Sequence, residues 1–69
     1  MKISARNVLT GVVKKLTVGD VEAEVVVALP DGSEIVSVIT ADSAKRLELK
    51  VGKSVHPVIK ASNVMIMVD

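Results

Sequence analysis

Two short stretches carry most of the polar chemistry this chain could offer a ligand. Ile3-Ser4-Ala5-Arg6-Asn7-Val8 stands near one end and Ile59-Lys60-Ala61-Ser62-Asn63-Val64 near the other. Ile, Ala, Asn and Val recur in register, and each stretch sets one hydroxyl and one cation on either side of an alanine. Side chains alternate between faces along a strand, so Ser4 shares a face with Arg6, and Lys60 with Ser62. Such a set suits a small oxyanion. A tetrahedral anion taken out of water needs several short N–H and O–H hydrogen bonds, and at least one positive charge to offset its desolvation. The intervening alanine keeps the backbone N–H within reach. Spacing alone leaves a plainer alternative open. Ser, Lys and Arg are ordinary surface residues, and a Val-rich chain can repeat six letters by chance or because two strand ends share a geometry.

Other chemistries find less support. His56 is the only histidine, no Ser-His-acid spacing or phosphate loop is present, and no residues are spaced to ligate a metal directly, so no catalytic residue is assigned and an enzyme is not expected. The carboxylates Glu22, Glu24, Asp31, Glu34, Asp42 and Glu48 fall mainly at turns and outer faces. His56 shares a strand face with Val58 and Lys60, where it reads as a hydrogen-bonded interface residue rather than a pH switch. The net charge is +1, from nine basic and eight acidic residues, and there is no aromatic residue. Both facts argue against a module for single-stranded nucleic acid, which relies on a basic groove and stacking platforms.

These residues must be positioned by a very small scaffold. The chain has 69 residues, is 49% hydrophobic and contains no cysteine. One domain over residues 1–69 is expected, and a domain of this size hides only roughly 60% of the surface its unfolded chain exposes. With no disulfide or thiolate metal site, the core must be Val, Ile, Leu, Met and Ala. The surplus apolar surface points to other copies of the same chain. No run is long enough to span a membrane and the N-terminal stretch lacks the apolar run of a signal peptide, so a cytoplasmic location is expected.

Periodicity gives mostly strands. Lys2 to about Leu16 is rich in β-branched residues, broken only by Gly11, which suggests a bulge or a close backbone approach. Thr17-Val18-Gly19-Asp20 reads as a turn, and Val21 to Leu29 as a strand that begins one-sided and ends buried on both faces. Pro30-Asp31-Gly32-Ser33 is a hairpin signal, followed by a returning strand from Glu34 to Ile39. Thr40 is a good N-cap for a short helix reaching about Leu49, with Ala44 and Leu47 facing inward. Val51-Gly52-Lys53 ends it. Val55 to Ile59 and Val64 to Val68 read as two more strands, Met65 and Met67 serving as packing. Five strands with one helix between the third and fourth match an all-β, five-stranded barrel of the OB type.

Taken together, Ile3-Ser4-Ala5-Arg6-Asn7, Ile39-Thr40 with Ser43, Arg46-Leu47 before Leu49-Lys50-Val51-Gly52, and Val58-Ile59-Lys60-Ala61-Ser62 resemble the molbindins, or Mop proteins, over essentially the whole chain. The resemblance implies reversible binding of molybdate or tungstate between subunits of a hexamer built as a trimer of dimers, for storage or homeostasis. It also implies roles: a hydroxyl from Ser4, backbone N–H groups from Ala5 and Arg6 with a positive field from Arg6, the main charge from Lys60, and Ala61 N–H with the Ser62 hydroxyl beside it. Thr40 and Ser43 fall where the family places further hydroxyls, although both also suit the helix start. Asn7 either contacts the anion or ties strand ends. The competing readings are a purely structural oligomerising module and a single-strand-binding domain.

Overall fold

A computed structural model describes residues 2–69; Met1 lies outside the described residues. Six strand segments are present among them: β1 (Asn7–Val8), β2 (Gly11–Val18), β3 (Glu22–Ala28), β4 (Glu34–Thr40), β5 (Ser54–Val55) and β6 (Val58–Ile59). A helix, α1 (Ala41–Arg46), follows β4, and a single 3-10 turn (Ala61–Asn63) follows β6. All pairings are antiparallel. The main sheet runs β4-β3-β2-β5, and β1 pairs with β6 in a second, two-stranded ladder. The result is a curled half-barrel, mostly β, with one short helix.

Alternation builds the inner face. Ala23, Val25 and Val27 of β3 are buried while Glu22 and Glu24 point outward. In β2 the register slips between Val13 and Lys15, so that Val13 and Leu16 both face inward and the consecutive lysines Lys14 and Lys15 both stay exposed. A strict period of two would have buried one lysine, and one extra residue in the strand avoids that. Val13, Val25 and Val27 form the core, with Leu16, Leu29, Ile39, Leu49 and Val55 packed against it.

Gly11 proves to be a close approach. A Cβ there would stand 2.6 Å from both the Ala28 carbonyl oxygen and Val27 Cγ1, and the bulge lies further on, at Lys14. The hairpin forms as expected: Gly32 adopts φ 90°, and the Asp31 carboxylate accepts from the Ser33 hydroxyl and from Ser33 N at 3.0 Å. These bonds hold the Asp31 carboxyl below its ordinary pKa, the hydroxyl contributing most.

At α1, Ala44 is buried but Leu47, expected to face inward, is 54% exposed. The helix ends before Leu47 can turn in. Leu49 N donates to Ala44 O at 3.1 Å and Glu48 N to Lys45 O at 3.0 Å, a Schellman end with Glu48 at φ 55° where glycine is usual.

The strand expectations need three corrections. The first strand is interrupted at Leu9-Thr10 and runs on to Val18. The Val55 to Ile59 strand is split, because Pro57 has no N–H for the ladder, though its carbonyl still accepts from Leu9 N at 2.9 Å. Val64 to Val68 forms no strand in the isolated chain: it has no ladder partner, and Met65, Ile66, Met67 and Val68 are 85–92% exposed. The chain therefore exposes 5776 Å², whereas a compact monomer of 7.3 kDa exposes roughly 4200 Å².

Candidate functional site

The two matching stretches meet. In the β1–β6 ladder Asn7 pairs with Ile59 and Val8 with Val58. Because the strands are antiparallel, Ser4-Ala5-Arg6 enters the ladder where Lys60-Ala61-Ser62 leaves it. Arg6 and Lys60 thus stand at one end of the ladder, each next to its last paired residue. Ser4, Arg6, Lys60, Ala61 and Ser62 are exposed, and Ala5 and Asn7 are half-buried.

Local structure leaves these groups available. Lys60 takes an extended conformation (φ −63°, ψ 131°) and starts the 3-10 turn without a side-chain cap. Arg6 and Lys60 form no ion pair among the described residues, where the one ion pair joins Lys14, at the bulge, to Glu34. Asn63 N donates to Lys60 O at 2.9 Å and Val64 N to Ala61 O at 3.2 Å. The amides of Ala5, Arg6, Ala61 and Ser62 donate no backbone bond among the described residues. Pairing therefore stops just where amide donors, hydroxyls and two cations collect.

The surrounding charge is one-sided, which the net charge conceals. No acidic residue occurs from Lys2 to Gly19 or from Leu49 to Val68, and those segments hold Lys2, Arg6, Lys14, Lys15, Lys50, Lys53 and Lys60. The acids lie between Asp20 and Glu48, apart from Asp69. The β1–β6 ladder thus sits in the basic part of the chain, a signal readable by mapping charge along the sequence. Exposed aliphatic side chains, Ile3, Val8 and Val58, rim the same ladder. Nearby, Thr10 Oγ1 lies 3.3 Å from His56 Nδ1.

Thr40 and Ser43 lie elsewhere. Thr40 caps α1: its Oγ1 accepts from Ser43 N at 3.0 Å and donates to Ser43 Oγ at 2.8 Å. Thr40 pairs with Glu22 at the Val18 end of the sheet, whereas β1 precedes the Gly11 end of β2. The two hydroxyl clusters are thus separated by the length of β2, roughly 25 Å of strand at ~3.3 Å per residue. Two concavities, of about 480 Å³ between β2 and α1 and about 380 Å³ beside Leu9 and Pro30, include none of the nine expected residues. Within one copy of the chain these nine residues therefore do not line a common cavity.

A family model described as the TOBE domain matches residues 3–66. "Molybdenum-pterin-binding protein 1" of Clostridium pasteurianum is 45% identical over 97% of this chain and 98% of its own length. The chain spans only 26% of the similar "Molybdenum transport protein ModE" of Azotobacter vinelandii, at 46% identity. Among solved structures, MopII from Clostridium pasteurianum superposes with a TM-score of 0.93 at 43% identity, covering 97% of this chain and all of that one. A chain of the cytoplasmic molybdate-binding protein ModG, solved with molybdate bound, superposes with a TM-score of 0.90 at 51% identity, covering 94% of this chain and 46% of that one.

Proposed function

The chain belongs to the TOBE domain family, among the small molybdenum-pterin-binding proteins, and on that premise we propose that it binds molybdate reversibly as the intact oxyanion. The carrying observation is the Asn7–Ile59 pairing, which gathers Ser4, Arg6, Lys60 and Ser62 with unused amides at one ladder end. The ModG structure with molybdate bound supports the choice of ligand. Fixed N–H and O–H donors select by size. Molybdate is larger than sulfate, so sulfate competes poorly, and tungstate, nearly the same size and charge, competes well.

Ser4, Ala5, Arg6, Asn7, Lys60, Ala61 and Ser62 form one wall of the proposed site. Thr40 and Ser43 of another copy supply further hydroxyls. The excess exposed area and the aliphatic rim support anion sites between subunits of a hexamer built from dimers. The scaffold is one domain over residues 1–69, an OB-type barrel of five strands when β1 with β2, and β5 with β6, are each counted as one and Val64 to Val68 supplies the fifth. The role is molybdenum storage or homeostasis in the cytoplasm, by binding without turnover. The named relatives are binding proteins, and no helix among the described residues is long and apolar enough to cross a membrane.

A thermal melt tests this reading. A ligand held only by the native state at 100 times its Kd adds about 2.7 kcal/mol, or a rise of about 10 °C or more for a domain this small. Molybdate and tungstate are expected to give that rise and sulfate is not. A midpoint indifferent to all three leaves only the structural oligomerising module.

A further inference from the structure

The concavity of about 480 Å³ between β2 and α1 opens beside the Thr40 cap. Its floor includes Leu16, Ala44 and Leu49, all buried or half-buried, and its edge carries exposed Asp20 and Asp42 with one cation, Lys45. Glu22 pairs with Thr40 in the sheet and brings a third carboxylate near. The role proposed for Thr40 and Ser43 therefore needs more than their hydroxyls. A dianion brought to them meets carboxylates, and like charges in contact repel. Neither Asp20 nor Asp42 is in an ion pair among the described residues, where the one ion pair joins Lys14 to Glu34. A further cation must come from outside this end of the chain.

Lys2 is exposed, joins no ion pair among the described residues and precedes Ser4 by two residues, no more than about 7 Å of chain. We infer that Lys2 of the copy that supplies Ser4 lies across this concavity in the copy that supplies Thr40 and Ser43, its stem over Leu16, Ala44 and Leu49 and its ammonium at Asp20 and Asp42. The inference rests on the reading that these three hydroxyls share one anion. An apolar floor with an acidic edge suits a side chain made of a four-carbon stem and a charged tip. Charge is complementary on a larger scale too, since Lys2 belongs to a basic segment and the acids cluster between Asp20 and Glu48. Within one chain the length of β2, roughly 25 Å at ~3.3 Å per residue, lies between Lys2 and the concavity. The Lys2 that fills it thus belongs to a second copy. Lys2 becomes an affinity-determining residue just outside the two matching stretches: it neutralises the acidic edge and adds a positive charge beside the anion.

Two measurements test it. A carbodiimide joins a lysine amine to a carboxylate only where the two are in contact. With molybdate present, a denaturing gel should show a covalent dimer, and peptide mass spectrometry should find Lys2 joined to Asp20 or Asp42. Coupling of Lys14 to Glu34, the ion pair within one chain, shows in the same sample that the reagent has acted. Lys2→Arg keeps the charge but cannot be coupled, and should abolish the dimer. The inference is overturned by a Lys2 cross-link to these acids within a monomer, by a product that survives Lys2→Arg, or by none while Lys14 and Glu34 are joined. The second measurement is calorimetry with molybdate. Lys2→Ala is expected to weaken binding roughly three- to ten-fold, but less than about two-fold in an Asp20→Asn/Asp42→Asn background, where the edge has no charge left to neutralise. An equal loss in both backgrounds, or no loss in either, overturns the inference. If Lys60→Ala loses affinity and Lys2→Ala does not, the molybdate reading stands without it. If the wild type takes up no molybdate, that reading fails instead, and the cross-link alone decides the contact.

Discussion

Asn7 pairs with Ile59 across the β1–β6 ladder, and this single register brings the two ends of the chain together with their cations, Arg6 and Lys60, at the same exit. Like charges side by side are unfavourable unless an anion joins them. The near repetition of six letters at the two ends thus acquires a geometric reason: antiparallel pairing makes each stretch the neighbour of the other.

Lys60→Ala is expected to weaken molybdate binding by roughly 10- to 100-fold, since losing a hydrogen bond to a charged partner costs about 1.5–3 kcal/mol. Native mass should not change, because Lys60 is exposed and takes part in no ion pair among the described residues. Arg6→Lys, which keeps the charge and the backbone N–H, should lose far less. Unchanged affinity of Lys60→Ala in calorimetry removes Lys60 from the site.

Thr40 can be dissected by two substitutions. Thr40→Val removes the acceptor for Ser43 N and should destabilise the fold by about 1 kcal/mol in urea unfolding. Thr40→Asp keeps a capping oxygen and should hold the unfolding midpoint, yet weaken molybdate binding by placing a negative charge beside it. Normal affinity in Thr40→Asp would show that the residue serves the helix alone.

Gly11→Ala should lower stability by about 1–3 kcal/mol, the usual range for overpacking. The obstruction includes a backbone oxygen, Ala28 O at 2.6 Å, which cannot rotate away. Urea denaturation measures it, and a wild-type midpoint would mean that β2 and β3 separate at little cost.

Glu48→Gly should raise stability by about 0.5–1 kcal/mol, because a residue with a Cβ is strained in the left-handed region. Glu48 sits there at φ 55° at the end of α1, where Lys53 Nζ donates to Leu47 O at 2.7 Å and to Glu48 O at 3.2 Å. A fall in the thermal midpoint would assign the Glu48 side chain a stabilising contact that outweighs its backbone strain.

Features set by a few adjacent residues were legible in the sequence. The Val21 to Leu29 strand, the Pro30 to Ser33 turn, the Thr40 cap and the inward Ala44 rest on alternation, fixed φ angles and a short hydroxyl reach, all of which act within a turn or two. Composition by itself also implied more apolar surface than one small domain can hide. Three things were decided only by tertiary structure. The slip at Lys14 answers the pairing of β2 with β3, the Asn7–Ile59 register depends on two segments some fifty residues apart, and Val64 to Val68 has the composition of a strand without a partner in its own chain. A strand is completed by another backbone, and no period in the sequence states which backbone that is.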